Sequence, residues 1–363
     1  MMIRYLIVKQ TFFKLLLKSQ LLALGFILFF TFISALVVGL VAYKKLQMFS
    51  QASGLPLSEL HTLLSTAWEQ PPRAENDRIT VLVLGLDTVA NRDQPALTDS
   101  MLLASIDLKT GSVSLMSLPR DFWLDEYQTK INALYYYGAQ KDPEHPTAFV
   151  SETLSQITGL PIQHVLTVSL DDVADLVTIL GGVEIAVPDS FTDEHFPRPG
   201  VDTSVVTDLA ELQQTVTFEA GRQTMSGERV LEYVRSRKAE GVEGTDLARS
   251  QRQQDVLRSV ANTLQTRRVM TDPQILGKLT RWYLNRYNSD WPLQDVLSLG
   301  FIFAKNDVRP TINTISIPIA NTATESGLLV HPTVSRKYDN QWVYIATDSA
   351  LLKTYIFDQI EQQ

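Results

Sequence analysis

The sequence predicts an α/β fold: a three-layer α/β/α sandwich with a mixed sheet, preceded by one N-terminal transmembrane helix. The β-branched and aliphatic run Ile79–Leu84 is typical of a buried strand. Strand-like and helix-like segments alternate after it, as they do when helices cover both faces of a sheet. Residues 101–106 and 112–117 are two strands joined by a short connection ending in Gly111, which predicts a hairpin and therefore a mixed sheet.

Helix and strand limits follow from residues that start or stop each element. A helix over 147–157 is stopped by Gly159 and Pro161. Asp171 is expected to cap a helix that ends at Gly181-Gly182, and Pro188 ends the strand that follows. Residues 189–214 are acidic and are predicted to form a loop. The remaining predicted elements are helices at 131–137, 226–235, 246–266, 272–283, 292–304 and 349–362, and strands at 165–170, 183–187 and 311–317.

The composition excludes several classes of protein. With 363 residues, 45% of them hydrophobic, the chain is long enough to bury a core and is not wholly disordered. It contains no cysteine, which excludes disulfides, a thiolate nucleophile and cysteine-ligated metal sites. Residues 1–45 carry six basic and no acidic side chains, a net charge of +6. Because the whole chain carries −8, residues 46–363 carry −8 − 6 = −14. An acidic body is a poor partner for nucleic acid.

A membrane anchor is predicted near the N-terminus. Residues 21–42 carry no charge, and about 20 apolar residues in a helix span a bilayer. The apolar part of a cleavable signal peptide, the alternative, is about 7–15 residues long. Four basic residues precede the span, and Lys44 and Lys45 follow it. The positive-inside rule therefore predicts a single-pass protein of the cell membrane with a cytoplasmic N-terminus and an extracellular C-terminal domain.

The chain is predicted to have five parts. Pro71-Pro72 favours an extended segment before the first strand. The amphipathic stretch Leu57–Trp68 forms a short helix either on the membrane surface or packed on the domain. The predicted parts are a tail at 1–20, a transmembrane helix at 21–43, a stalk at 44–77, a core at 78–266 and a C-terminal part packing on the core at 267–363.

Two carboxylates flank the connection between the first two predicted strands. Asp87 directly follows the first strand, and Asp99 precedes the second. If these strands are neighbours, both side chains lie at one edge of the sheet. Magnesium favours one or two carboxylates together with substrate phosphate. The alternative is turn chemistry, because Asp is common where strands end.

Several arginines follow predicted elements, and the common catalytic motifs are missing. There is no nucleophile elbow, phosphate loop or zinc-binding HExxH, and the five histidines are scattered. Guanidinium groups bind phosphate bidentately, so a converging set predicts a phosphate or pyrophosphate ligand. The alternative is a set of surface ion pairs. The residues of this set are Arg120 after the third strand, Arg235 and Arg237 at a helix end, and Asp246, Arg249 and Gln253 on one helix face.

Seven short motifs in order resemble the LytR-CpsA-Psr family of membrane-anchored bacterial glycopolymer ligases. They span roughly residues 78–266, and the arrangement of short tail, single span and outer domain is similar too. The motifs are Val83-Leu84-Gly85-Leu86-Asp87, Thr98-Asp99-Ser100-Met101, Ser117-Leu118-Pro119-Arg120-Asp121, Lys130-Ile131-Asn132-Ala133, Gly181-Gly182-Val183, Met225-Ser226-Gly227-Glu228 through Arg237, and Asp246-Leu247-Ala248-Arg249 with Arg252-Gln253-Gln254.

The resemblance implies a phosphotransferase that moves a glycopolymer from a polyisoprenyl-pyrophosphate carrier to a cell-wall acceptor, usually peptidoglycan. It implies Mg²⁺ (or Mn²⁺) held by Asp87 and Asp99. The pyrophosphate would be bound by Arg120, Arg235, Arg237, Arg249 and Gln253, with Lys130 in support, and Asp246 would be a base or an orienter of the arginines. The lipid would enter an apolar tunnel, for which Val173, Leu176, Val177 and Leu257 are candidates that could equally be core.

One position departs from the family pattern. Leu97 stands where the family usually has arginine two residues before the second aspartate, and Arg92 in the same loop is a substitute candidate. Two other functions stay open at this point. One is a non-catalytic regulator of the cell envelope that binds polyprenyl phosphates. The other is a lipid pyrophosphatase that uses the same groups with water as the nucleophile.

Overall fold

The computed structural model describes residues 2–86, 97–198, 201, 208–287, 290–306, 308, 310–320 and 327–361. The helices are α1 (Met2–Ser53), α2 (Leu57–Glu69), α3 (Leu134–Lys141), α4 (Pro146–Thr158), α5 (Leu170–Leu180), α6 (Leu209–Leu212), α7 (Gly227–Arg235), α8 (Asp246–Leu264), α9 (Arg267–Thr271), α10 (Pro273–Arg286), α11 (Leu293–Lys305) and α12 (Ser349–Glu361). The strands are β1 (Arg78–Leu86), β2 (Thr98–Asp107), β3 (Ser112–Leu118), β4 (Trp123–Leu124), β5 (Thr129–Lys130), β6 (His164–Ser169), β7 (Val183–Val187), β8 (Phe191–Pro197), β9 (Gln213–Phe218), β10 (Gly221–Met225), β11 (Thr311–Ile315), β12 (Ile319–Ala320), β13 (Leu329–Val330) and β14 (Ile345–Ala346).

The central sheet has five strands in the order β11-β3-β2-β1-β6. β2 is antiparallel to both of its neighbours, whereas β1 pairs with β6 in parallel and β3 pairs with β11 in parallel. The predicted hairpin and the mixed sheet are thus confirmed. β11 comes from the C-terminal part of the chain, so that part completes the sheet.

Both faces of the sheet are covered, because side chains alternate along each strand. Leu82, Leu84 and Leu103 pack on one face in a core that also holds Leu154 of α4 and Ile356 of α12. The opposite face carries Ile79, Val81 and Ile106, which pack with Trp291 and Leu299 of the α11 region. The predicted three-layer α/β/α arrangement is therefore confirmed.

The prediction of a loop over 189–214 is wrong, because part of it is a β-strand. β8 pairs with β9, and the rings of Phe191 and Phe218 stack at 5.0 Å between their centroids. These strands join α5, α7 and α8 in a second hydrophobic core. The acidic composition concealed β8, since Asp193 occupies an inward position where alternation calls for an apolar residue.

The cap of α5 also differs from the prediction. Ser169, not Asp171, occupies the cap position: its hydroxyl accepts a hydrogen bond from the Asp172 backbone N–H at 3.1 Å. The Asp172 carboxylate in turn accepts one from the Ser169 N–H at 2.9 Å. This reciprocal capping box starts α5 two residues earlier than Asp171 would.

The long helix α1 continues without a break past the predicted span to Ser53, and it is long and apolar enough to cross a membrane. Its last turns pack against α10 at Gly277, where an added Cβ would lie 2.6 Å from the Ala52 Cβ. The Arg281 guanidinium donates a hydrogen bond to the Gln51 carbonyl at 2.9 Å. The start of the predicted stalk is therefore helical and in contact with the domain.

The second helix of the predicted stalk, α2, also packs on the domain, which decides between the two alternatives for the amphipathic stretch. Trp68 contacts Phe301 of α11 edge to face, with 5.4 Å between ring centroids. The Ser298 hydroxyl donates to the Gln70 carbonyl at 2.9 Å. The apolar face of α2 is thus used in a protein contact.

Candidate functional site

Four strand ends meet at one edge of the central sheet. The register pairs Leu86 at the end of β1 with Thr98 at the start of β2 and with Ser169 at the end of β6. The register of β2 with β3 places Leu118, the last residue of β3, opposite Met101. This edge, called the site edge below, therefore carries Asp99, Arg120 and the start of α5.

A chain of alternating charges lies at the site edge. The Arg120 Nη1 is 2.8 Å from the Asp99 Oδ1, and its Nε is 3.5 Å from the Asp121 Oδ2. The other oxygen of Asp121 lies 2.7 Å from the Lys130 Nζ. Lys130 reaches this position because β5 pairs with β4, only two residues after Asp121. Asp121 is a residue that the sequence analysis did not select.

The Arg120–Asp99 pair at the site edge is open to solvent, whereas the side chains of Lys130 and Asp121 are only 17% and 20% exposed. The side chains of Arg120 and Asp99 are 46% and 38% exposed. Burial lowers the pKa of Arg120, but the charges of Asp99 and Asp121 and hydrogen bonds to them outweigh that effect and raise it overall. Exposed ion pairs add about 0–1 kcal/mol of stability. An incoming anion can therefore replace Asp99 as the partner of Arg120 at little cost to the fold.

Backbone contacts hold the loop that carries Arg120. Thr98 is fully buried, and its hydroxyl donates to the Asn132 carbonyl at 3.1 Å. The Asn132 N–H donates to the Arg120 carbonyl at 3.3 Å. The predicted site residue Asp87 lies outside the described residues, as does Arg92. Leu97 is exposed beside Thr98.

Arg235 reaches the site edge from α7. Its Nη2 lies 2.9 Å and 3.0 Å from the two carboxylate oxygens of Asp171, in the first turn of α5. Arg237 is exposed and follows the end of α7. Of the arginines predicted to converge, Arg120 and Arg235 both lie at the site edge, each paired with a carboxylate.

The segment after α7 is held by two buried charges that sequence reasoning did not assign to the site. One Asp193 oxygen accepts from the Ser236 hydroxyl at 2.6 Å and from the Arg237 and Lys238 backbone N–H groups at 3.0 and 3.1 Å. Burial raises the pKa of Asp193, but these hydrogen bonds outweigh it and lower the pKa overall. No sequence motif marked Asp193.

Arg252 holds the same segment from the side of α8. Its guanidinium donates to the Tyr233 carbonyl at 2.9 Å and the Ser236 carbonyl at 2.7 Å, and it pairs with the Glu243 carboxylate at 2.8 Å. Its side chain is only 3% exposed. Helical spacing puts Arg249 and Gln253 on one face of α8 and Arg252 on another. The face that carries Arg252 is turned to α7.

The other predicted site residues from the C-terminal end of the core lie on α8. Asp246 begins the helix, and Arg249 and Gln253 are both half-buried one turn apart. The side chain of Asp246 lies outside the described part of the chain. The Thr245 hydroxyl caps α8 by accepting from the Ala248 N–H at 3.2 Å.

Three of the four candidate lipid-contacting residues are core side chains. Val173 and Val177 are buried in the second core, and Leu176 packs against it, whereas Leu257 is exposed on α8. Half-buried apolar side chains instead form a row on the sheet: the register places Leu102 and Leu166 on either side of Val83. This row lies on the sheet face opposite Leu82 and crosses β2, β1 and β6 three residues before Leu86 at the site edge.

Of the two predicted metal ligands, Asp99 is the one that lies within the described residues. Within them, no group of three or more His, Asp or Glu side chains is arranged to hold a metal ion. A carboxylate that is open to solvent nevertheless suits Mg²⁺, which keeps several waters and binds substrate phosphate directly. Asp99 fits that description.

Known proteins similar to this chain are wall-polymer transferases. The chain is 25% identical over 248 residues to the Bacillus subtilis "Polyisoprenyl-teichoic acid--peptidoglycan teichoic acid transferase TagV", covering 65% of this chain and 56% of TagV. It is 26% identical over 238 residues to TagT of the same organism, covering 64% of this chain and 66% of TagT. The matched region thus spans less than two thirds of the length of these relatives.

Two solved structures are also similar to this chain. The crystal structure of B. subtilis TagV matches 80% of this chain and 98% of its own length, with 19% identity and a TM-score of 0.49. TagT with bound octaprenyl pyrophosphate lipid matches 81% of this chain and 94% of its own length, with 17% identity and a TM-score of 0.45. The model of the LytR_cpsA_psr family matches residues 51–352, most of the chain. The chain therefore belongs to the LytR_cpsA_psr family.

Proposed function

We propose that this protein is a phosphotransferase that moves a glycopolymer from a polyisoprenyl-pyrophosphate carrier to a hydroxyl of the cell wall, with peptidoglycan as the acceptor. The relatives named for such a transfer support the proposal. The observation that carries it is the charge chain at the site edge, in which Arg120 and Lys130 alternate with Asp99 and Asp121. Its Arg120–Asp99 end is open to solvent.

The cations of the site edge suit a pyrophosphate. Arg120 and Arg235 each present a planar fork that matches two phosphate oxygens, and both are paired with exposed carboxylates. A pyrophosphate offers these guanidinium groups more charge than one carboxylate does. The ligand would displace Asp99 and Asp171 from the arginines, freeing both carboxylates for other roles.

Asp99 is the proposed metal ligand, together with Asp87. Bound Mg²⁺ would neutralise part of the phosphate charge. Once Arg120 turns to the pyrophosphate, the Asp99 carboxylate is free to act as a ligand. Arg120 thus holds Asp99 at the site edge before the donor arrives.

The proposed transfer is a displacement at phosphorus. The acceptor oxygen forms a bond to the phosphorus that bears the glycan, and the bond from that phosphorus to the bridging oxygen breaks. The lipid phosphate leaves with the bond electrons, and a carboxylate takes the hydroxyl proton, for which Asp246 is the candidate. Arg120 and Arg235 stabilise the charge that builds on the phosphoryl oxygens.

The lipid tail is proposed to lie along the apolar row on the sheet. Val83 and Leu166 pack in part against the core that holds Trp291, and all three side chains of the row, with Leu102, are half-buried, so part of their apolar surface is left to cover. Each CH₂ of a lipid that leaves water contributes about 0.8 kcal/mol to binding. The row crosses the strands three residues, about 10 Å, before Leu86 at the site edge, which supports a head group near the charge chain.

The experiment measures transfer of the glycan from a lipid-pyrophosphate carrier to purified peptidoglycan, catalysed by the full chain in detergent. Asp99→Ala, Arg120→Lys and Arg235→Lys should each lose turnover, and the arginine variants should bind the lipid pyrophosphate about tenfold more weakly, roughly 1.4 kcal/mol. Arg258→Lys is the matched control, because Arg258 is an exposed arginine whose partner, Asp255, lies on the same helix. Unchanged binding and turnover in all three variants would overturn the proposal.

The same assay separates the two alternative functions. A pyrophosphatase releases lipid phosphate at an undiminished rate when peptidoglycan is left out. A regulator binds the lipid pyrophosphate without turnover under any condition. The proposed transferase needs the acceptor, and radiolabelled glycan should become attached to peptidoglycan in proportion to the lipid phosphate released.

A further inference from the structure

An exposed cluster of three aromatic rings lies in the C-terminal part of the chain. The Trp342 indole contacts the His331 ring and the Tyr344 ring, with 4.6 Å between centroids in each pair. The His331 Nδ1 lies 2.9 Å from the Val343 carbonyl, which accepts its hydrogen bond and fixes the ring. These three residues are called the aromatic platform below.

The platform is open to solvent, unlike the aromatic pair beside it. Trp342 is 45% exposed, whereas Trp123 is 4% exposed and packs edge to face on the buried Tyr338. Both tryptophans belong to the same region of the fold. Trp123, Tyr338 and Val343 already form its small core. Trp342 therefore contributes little to that core, and its exposed face is available to a ligand.

The platform is tied to the loop that carries Arg120. The Tyr344 N–H donates to the Asp121 carbonyl at 2.9 Å, and the Trp123 N–H donates to the Tyr344 carbonyl at 2.8 Å. These two bonds form a parallel bridge between Phe122 and Tyr344. Trp342 and Arg120 each lie two residues before the bridge, so their Cα atoms are within about 19 Å of each other.

We propose that the aromatic platform binds a sugar ring of a glycan, with Trp342 as the stacking residue. The inference rests on the proposed function and deepens it. One face of a pyranose presents C–H groups, which complement the negative face of an aromatic ring. A rigid, exposed indole supported by two further rings gives such a face at little entropic cost.

Because the Cα atoms of Trp342 and Arg120 are at most about 19 Å apart, a glycan that contacts Trp342 lies close to the loop that carries Arg120. The transfer uses two glycans, and either could present this sugar. Peptidoglycan strands are the acceptor, and the glycopolymer is carried by the donor. The sugar chemistry of the two sources is shared, so the experiment has to separate them.

The experiment compares Trp342→Ala with wild type as full chains in detergent. One arm titrates soluble, uncross-linked peptidoglycan glycan strands. The other titrates the lipid pyrophosphate with and without its glycan. Trp342→Ala should weaken binding of one glycan about fivefold to tenfold, while lipid pyrophosphate without glycan binds as before. Trp342→Phe should restore most of the affinity, because it restores an aromatic face.

Val334→Ala is the matched control, because Val334 is an equally exposed apolar side chain of the same region. Weaker binding of the strands alone identifies the acceptor as the source, and weaker binding of the glycan-bearing donor alone identifies the donor. Unchanged affinity of Trp342→Ala for both glycans overturns the proposal that the aromatic platform binds a sugar ring. If wild type binds glycan strands through Trp342 and yet transfers nothing, the proposed function fails while the platform stands.

Discussion

Asp193 accepts a hydrogen bond from the Arg237 backbone N–H at 3.0 Å, and the two residues are 44 positions apart in the chain. Arg252 donates to the Ser236 carbonyl in the same segment at 2.7 Å. A buried anion and a buried cation thus fix opposite sides of the turn that follows α7. Because this turn carries Arg237 and adjoins Arg235, its geometry determines where both guanidinium groups reach.

Asp193→Asn should destabilise the fold and weaken lipid-pyrophosphate binding. An amide presents an NH₂ group that cannot accept hydrogen bonds, so some of the donors around Asp193 lose their partner, at a cost of about 1–3 kcal/mol each. Denaturant unfolding of the full chain in detergent measures the loss of stability. Asp189→Asn is the control, because Asp189 is exposed just before the same strand, and it should change the unfolding free energy by less than about 0.5 kcal/mol.

The stability difference between wild type and Asp193→Asn should depend on pH. The folded pKa of Asp193 is lowered, so its contribution is fully present above the ordinary value of about 3.9 and is lost as the pH falls through the folded value. Unfolding measured at neutral pH and at successively lower pH should show the gap constant at first and then shrinking below about pH 4. A gap that widens on acidification would contradict the assigned charge state.

Arg252→Met should be more damaging than Asp193→Asn. It removes the donor to three backbone carbonyls and leaves the Glu243 carboxylate without its cation. Breaking a buried pair from one side costs about 3–5 kcal/mol. Arg258→Met, at an exposed arginine of the same helix, should leave the unfolding midpoint nearly unchanged. If Arg252→Met and Arg258→Met lowered the unfolding midpoint equally, Arg252 would contribute no more to stability than an exposed arginine does.

Elements with regular patterns could be predicted from the sequence. The run Ile79–Leu84 is apolar because both faces of its strand are covered, and the hairpin after it follows from Gly111. Gly111 has a φ of 71°, a conformation that glycine adopts without strain. For the site, the prediction that put Asp99 at one edge of the sheet required β1 and β2 to be neighbours, and these strands do pair.

Contacts between distant segments could not be predicted in this way. Nothing local links Asp193 to a turn 44 residues later, since an inward carboxylate looks like a loop residue until its donors are known. Asp121 was missed for a similar reason. Its partner Lys130 is brought close by a two-residue pairing of strands that is too short to leave a periodic pattern.

Leu97→Arg should be tolerated and should tighten lipid-pyrophosphate binding. Leu97 is exposed and directly precedes Thr98 at the site edge, so a longer, charged side chain has room and solvent. Stability should change by less than about 0.5 kcal/mol. Binding of lipid pyrophosphate by the full chain is the measurement, with Leu97→Gln as the uncharged control. Loss of folding in Leu97→Arg would show that the loop is built around the leucine.

A reporter enzyme fused after Gln363 should be active only outside the cytoplasm. The prediction follows from the basic residues that precede the span and from the single apolar helix α1 among the described residues. Fusions of a periplasm-active and a cytoplasm-active reporter, compared in the same cells, give opposite readouts. Activity of the cytoplasmic reporter would place the site edge on the wrong side of the membrane for a wall acceptor.

Gly277→Ala should destabilise the contact between α1 and α10, although alanine favours helices. An added Cβ would lie 2.6 Å from the Ala52 Cβ, 2.7 Å from the Phe49 carbonyl oxygen and 2.9 Å from the Ser53 nitrogen. These atoms belong to the backbone of α1 or sit directly on it, so the helices have to separate. Overpacking of this kind costs about 1–3 kcal/mol, more than the gain in helix propensity of up to about 1 kcal/mol.

Gly300→Ala is the matched control for Gly277→Ala, because Gly300 also lies within a helix but has nothing within 4 Å of the added carbon. It should stabilise the protein by about 0.5–1 kcal/mol, so the same substitution has opposite signs at the two positions. The measurement is unfolding of each full chain in detergent, together with the rate of tryptic cleavage after Lys44 and Lys45. Gly277→Ala should speed that cleavage, since α1 is released from α10, and Gly300→Ala should not. If both substitutions changed the free energy of unfolding by the same amount and in the same direction, α1 would not dock on the domain at Gly277.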